Sequence, residues 1–242
     1  MSFEVFEGSI EDVPLTAALF VTTMEQDAHW ARLMKDVKVD EWLAWQEDIF
    51  KLRWTLPDKR VFFAREVATK KVVGYTTLGS PGSYTQEQID AANGAPPLPE
   101  GINLPLMKEM FSVIGMSNKH GYDPTVHYRK LFPLSALQHP QCVLKKQGPA
   151  KLIISVDRKG IVVLPEYQRR GVASLLSQHL NDIVDKEGGT TYAITTHIAM
   201  LIFKKQGFMV LGAKNVGTLK VGDAQVQDYV MRREPNAKRA VE

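Results

Sequence analysis

Residues Val163-Leu164-Pro165-Glu166-Tyr167-Gln168-Arg169-Arg170-Gly171-Val172-Ala173-Ser174-Leu175-Leu176 combine the residue types that can hold an anion. An apolar stretch ending at Leu164 runs through a polar turn into a helix whose first residues are small. Gly171 permits a positive φ or the close approach of a ligand to the backbone, and Ala173 and Ser174 keep bulk away from the helix start. The first N–H groups of a helix have no intrahelical partner, so here they would face outward toward a phosphate. Arg169 and Arg170 add positive charge at the lip. The same spacing also suits an ordinary strand-to-helix turn. Two other phosphate loops are excluded, because neither G-x-x-x-x-G-K-[ST] nor G-x-G-x-x-G occurs.

The elements around this stretch follow from periodicity. Val172, Leu176, Leu180, Ile183 and Val184 share one face of the helix after the turn, and Gly188-Gly189 stops it. The chain opens with a strand over Phe3–Phe6, and Ser9-Ile10-Glu11-Asp12 before Pro14 predicts a capped helix start running to Met24. Trp42, Trp45, Ile49 and Leu52 predict a second helix over roughly 39–55. Its crowded tryptophans suit either an aromatic wall for a substrate or plain core packing. Arg60–Val67 and Lys71–Gly79 predict an antiparallel hairpin. From Ser80 to about Ala150 turn signals dominate around one helix at about 105–116, so this stretch reads as an insertion: a lid, an acceptor wall or a surface excursion. Strands are then expected at Lys151–Val156, Gly160–Leu164 and Thr191–Thr196. A helix follows over His197–Gln206 with Gly207 beyond its end, then strands at Phe208–Leu211 and Asp228–Arg232.

Composition narrows the function classes. A chain of 242 residues, 44% hydrophobic, buries a sizeable core as one domain with an elaborated insertion. The net charge of +3, with no Lys/Arg block, gives no dedicated nucleic-acid surface. The one cysteine, Cys142, cannot form an internal disulfide, which suits a reducing compartment. No apolar run reaches membrane-spanning length, and the acidic start (Glu4, Glu7, Glu11, Asp12) is unlike a signal peptide. The expected location is the cytoplasm. His29, His120, His127, His139, His179 and His197 show no metal-ligand spacing, so no metal is expected.

Gln168-Arg169-Arg170-Gly171-Val172-Ala173 resembles the Q/R-x-x-G-x-G/A signature of the GNAT superfamily of N-acetyltransferases, including the apolar strand and Pro-Glu-Tyr before it. A second block agrees: Thr196–Phe208 keeps Ala199, Lys205 and Gly207-Phe208 in register with the family's N-x-x-A-x-x-L-Y-x-K-x-G-F. Tyr229-Val230-Met231 is similar to the family's last strand. The resemblance covers residues 151–233 well and 3–79 more loosely, and the long insertion is similar to fungal members that act on small molecules. It implies a mixed α+β fold: a mostly antiparallel twisted sheet flanked by helices, with a V-shaped splay between the two central strands. One domain, 1–242, would carry the insertion at about 80–150.

The resemblance further implies that the cosubstrate is acetyl-CoA. Its pyrophosphate would meet the backbone of Gln168, Arg169, Arg170, Gly171, Val172, Ala173 and Ser174. Val162, Val163 and Leu164 would line the V, with an N–H near Val163 as an oxyanion donor. The acceptor would be a small-molecule amine or amino-acid-like metabolite, or alternatively a protein lysine or N-terminus, with no nucleic acid or membrane as partner, and the protein a monomer or homodimer. A primary alkylamine with pKa ~10.4 is about one part in a thousand neutral at pH 7, so a base is expected. Asp157, at the start of the preceding strand, is the first candidate, although Asp157-Arg158-Lys159-Gly160 also reads as an exposed turn. A second alignment takes Leu131–Pro140 as that strand, with 141–164 inserted before the motif, and makes His139 the candidate. Phe203 occupies the position where many members carry a tyrosine acid beside the departing thiolate. Phe cannot donate a proton, so the acid is dispensable, replaced by water or a tyrosine such as Tyr192, or the protein binds acyl-CoA without catalysis.

Overall fold

The computed structural model describes the chain apart from residues 1, 57, 83–84, 86, 89–95, 112–115, 124, 132–159, 222–223 and 237–242. Strand β1 (Phe3–Glu7) ends in a capping box: the Asp12 carboxylate accepts from the Ser9 N–H at 2.8 Å, and Ser9 Oγ accepts from the Glu11 N–H at 3.3 Å. A 3₁₀ turn then runs into α1 (Val13–Met24), with Pro14 pre-setting its first turn. Helix α2 (Ala28–Leu33), which the periodicity does not predict, starts on the Asp27 side chain, Oδ1 accepting from the His29 and Trp30 N–H groups. Helix α3 (Val39–Trp54) follows, then β2 (Lys59–Glu66), β3 (Val72–Gly79), α4 (Leu104–Phe111), β4 (Tyr128–Leu131) and β5 (Ile161–Val163). The chain continues through α5 (Val172–Lys186), β6 (Thr191–Thr196), α6 (His197–Lys205), β7 (Met209–Val221) and β8 (Ala224–Arg233). No described helix is long and apolar enough to cross a membrane.

The strands form one mixed sheet in the order β1-β2-β3-β4-β6-β8-β7, with β5 also paired to β3. All pairings are antiparallel except that of β4 with β6. Helices α1–α3 cover one face, packing on Val61, Phe63, Tyr75, Val162 and Leu164. Helix α5 covers the other, packing on Phe62, Ala64, Val73, Leu78 and Val163 through its predicted stripe. The tryptophans belong to the first layer: Trp30 stacks on Trp42 at 6.1 Å, and Phe20 meets both edge-on. Trp42 and Trp45 are only 3% and 4% exposed.

The strand before the phosphate turn is built from two pieces of chain. Along β3, Gly74, Tyr75 and Thr76 face Val163, Val162 and Ile161, and the next residues, Thr77, Leu78 and Gly79, face Leu131, Lys130 and Arg129. β4 and β5 thus occupy consecutive positions along the same side of β3. β5 coincides with the strand expected at Gly160–Leu164, while residues 132–140 of the second alignment's strand and Asp157 of the first lie outside the described residues. The expected strand at Lys151–Val156 lies outside the described residues. Gly74 is needed where β5 crosses, because a Cβ there would lie 2.5 Å from the Val162 carbonyl oxygen. Joining Leu131 directly to Ile161 should therefore leave a folded protein with a cooperative thermal transition. An unfolded product would contradict the continuity of this strand position.

Candidate functional site

The turn after β5 adopts the conformation its residue types allow. Arg169 and Gly171 both lie in the left-handed region, at φ 58° and 87°, and Gly171 is the N-cap of α5. Alternation of left- and right-handed residues turns successive N–H groups to one side, the geometry of an anion nest. Gly171 is exposed, and a Cβ there would meet nothing within 4 Å, so the concave side is open. Arg169, Arg170 and Ser174 are also exposed, Ala173 is half-buried, and Val172 anchors the first turn in the core at 1% exposure. The Gln168 amide donates to the Val163 carbonyl at 3.1 Å and folds the turn back on its strand. Tyr167 ties the turn to the sheet: Lys71 and Arg170 sit over its ring at 5.2 Å each, and Phe3 meets it edge-on. The Glu166 carboxyl is held below its usual pKa by its own backbone N–H and by Lys71 at 3.1 Å, which offsets its charge beside the turn.

A gap opens beside this turn. β4 and β6 pair in parallel only at Tyr128–Thr191 and Arg129–Tyr192. Beyond that, among the described residues, β5 pairs only with β3, and Ala193–Thr196 only with Met231–Asp228 of β8. The Leu164 N–H donates to the Val73 carbonyl at 2.9 Å. Alternation along an antiparallel strand then turns the Val163 N–H toward the gap. The side chains of Val162, Val163 and Leu164 are buried at 1%, 6% and 7% exposure, so the backbone of β5, rather than its side chains, faces the opening.

Phe203 is 4% exposed and packs with Phe208 at 5.0 Å in a cluster with Ala193, Met200 and Met231, which Ile161 also touches. Tyr192 is buried and its hydroxyl donates to the His120 carbonyl at 3.2 Å, so its phenol proton is already engaged. Asp157 and His139 lie outside the described residues. Among the described residues no group of His, Cys, Asp and Glu could hold a metal ion.

Sequence reasoning missed the residues that fix the two helices flanking the gap. The side-chain oxygen of Gln206 accepts from the Ser177 hydroxyl and the Asn181 amide, and its Nε2 donates to the Ser174 carbonyl at 3.1 Å. Arg233, 2% exposed, donates to the Gln206 carbonyl and binds the Asp185 carboxylate through two nitrogens at 2.7 and 2.6 Å. At the end of β6, the Tyr229 hydroxyl donates to Gln227 Oε1 at 3.0 Å and lies 3.2 Å from His197 Nδ1. None of these residues falls at a fixed position of either sequence motif. Replacing Arg233 with Met leaves the Asp185 carboxylate without its buried cation and should lower stability by about 3 kcal/mol in urea unfolding. A loss below roughly 1 kcal/mol would show that the pair does not brace α5.

No protein-family model matches the sequence. No curated protein sequence matches it. Solved structures do match in fold. The histone acetyltransferase HPA2 and related acetyltransferase of Corynebacterium glutamicum superposes with a TM-score of 0.53 at 15% identity, over 97% of each chain. An N-acetyltransferase from Staphylococcus aureus superposes with a TM-score of 0.50 at 14% identity, over 97% of this chain and 99% of that one. The likeness is one of fold: this chain has the mixed sheet flanked by helices of these two acetyltransferases.

Proposed function

We propose that the protein is an acetyl-CoA-dependent N-acetyltransferase that passes acetyl directly to the amine of a small, amino-acid-like metabolite. The supporting observation is the gap between β5 and β6, which ends on an open, left-handed turn at a helix N-terminus. The residues fit the cosubstrate: the helix start from Gly171 to Ser174 offers N–H donors and a dipole to the pyrophosphate, flanked by Arg169 and Arg170. The Val163 N–H, turned to the gap, would polarise the thioester carbonyl. Bound acetyl-CoA supplies an acetyl group on a thioester: a nitrogen–carbon bond forms, the carbon–sulfur bond breaks with its electrons going to sulfur, and a proton leaves nitrogen. That proton needs an acceptor, for which Asp157 is the first choice and His139 the second. A thiol of ordinary pKa ~8.5 departs tolerably as thiolate, so Phe203 is compatible with turnover.

In this reading the chain is a single domain in the cytoplasm, monomeric or homodimeric, whose insertion at about 80–150 encloses the acceptor. Phe203 also favours a second reading, a protein that binds acyl-CoA without transferring the acyl group. Free-thiol release from acetyl-CoA, followed across a panel of primary amines, separates the two. The transferase reading expects amine-dependent release. It also expects that Asp157→Asn or His139→Ala lowers kcat by about 10²–10⁴ with acetyl-CoA affinity unchanged. Binding of acetyl-CoA with no release for any amine favours the second reading.

A further inference from the structure

The layer between α1, α3 and the sheet contains polar atoms that the protein leaves without partners. Among the described residues, Trp42 Nε1, Trp45 Nε1, both amide atoms of Gln46, the Tyr75 hydroxyl and Thr23 Oγ1 are buried with no hydrogen bond. Gln46 is 0% exposed and Tyr75 2%, so bulk water does not reach them. Buried polar groups are almost always satisfied, so several orphans in one layer point to an occupant that the protein atoms do not supply. Their grouping is not diffuse. Trp42, Trp45 and Gln46 lie within about one turn of α3, facing the core together. Tyr75 on β3 reaches the same helix through Phe50, at 6.2 Å between rings.

The position of this seam relative to the gap gives it meaning. The gap passes through the sheet, with α5 and the phosphate turn on the Val163 face. The core cluster around Trp42, Trp45 and Tyr75 lies on the opposite face and includes Val162 and Leu164, at the edge of the gap. A cosubstrate anchored on the α5 side would present its reactive end toward the seam. The chemistry of the seam favours an anion. The indoles only donate, Gln46 and Tyr75 can donate, and burial pushes the Tyr75 phenol well above its usual pKa, so it keeps its proton.

We propose that this seam binds the carboxylate of an amino-acid-type acceptor through Gln46, Tyr75 and the indole N–H groups of Trp42 and Trp45, leaving the amine toward the gap. The assignment rests on the N-acetyltransferase reading. It restricts the acceptor class to amines that carry a carboxylate, and it makes Gln46 and Tyr75 determinants of that choice.

The test is calorimetric binding to the full chain saturated with coenzyme A, using the standard L-amino acids and the corresponding amines lacking the carboxylate. Gln46→Leu, which keeps the volume and removes the amide, and Tyr75→Phe are the variants. The proposal expects at least one amino acid to bind, roughly tenfold or more tighter than its decarboxylated counterpart. It expects each variant to lose that preference while coenzyme A affinity holds and the thermal midpoint does not fall. Equal binding of both members of every pair would overturn it. So would variants that keep the carboxylate preference unchanged, because Gln46 and Tyr75 would then not contact the carboxylate. Wild-type protein that binds no coenzyme A overturns the acetyltransferase reading itself, whereas coenzyme A binding without discrimination among amines overturns the seam alone.

Discussion

The site depends on an interruption in backbone pairing. β4 and β6 share two bridges and then part, β5 being held by β3 on one side and β6 by β8 on the other. Among the described residues no strand pairs with the gap-facing edges of β5 and Ala193–Thr196, and an unpaired edge inside a sheet is an unfavourable arrangement unless something else supplies hydrogen bonds. A ligand with an extended, amide-bearing arm satisfies that requirement. In the proposed reading, the glycine-containing turn and the polar seam across the sheet are the two ends of one path.

Holding such a gap open requires bracing from outside it. On the β5 side the brace is the close approach of Gly74 to Val162, together with Tyr167, which two cations clamp against the first strands. On the β6 side it is Gln206, bonded to three residues of α5, and the buried Arg233–Asp185 pair that ties β8 to the same helix. The cradle helix is thereby fixed to both walls, and the left-handed backbone of the turn is held by its surroundings rather than by local preference.

The turn, the stripe of α5, β6 at Thr191–Thr196 and the α6 helix were legible in the sequence because each carries a local signal: a glycine needing positive φ, a 3.6-residue period, a β-branched run. β4 was not, because Tyr128-Arg129-Lys130-Leu131 is short, polar in its centre and followed by a proline at 133. The abutment of β4 and β5 along β3 is a fact of register, which no local pattern encodes. The apolar period of α3 was read through Leu52, yet Leu52 is half-buried while Gln46 and Arg53 occupy the buried face. Polar residues on a core face run against the pattern that defines the helix, and sites of binding are where such conflicts are expected. Gln206 and Arg233 act through contacts distant in sequence, so their residue types alone carried no message.

The central claim is that the open turn at Gly171 holds the phosphates of acetyl-CoA in line with the gap. Calorimetric titration of acetyl-CoA into the wild-type protein and a Gly171→Asp variant tests it most directly, with thermal unfolding run in parallel to establish that both are folded. The account predicts saturable binding to the wild type and a loss of roughly tenfold or more in the variant, where a carboxylate enters the cradle. Absence of binding to the folded wild type, or equal affinity in the variant, would contradict it.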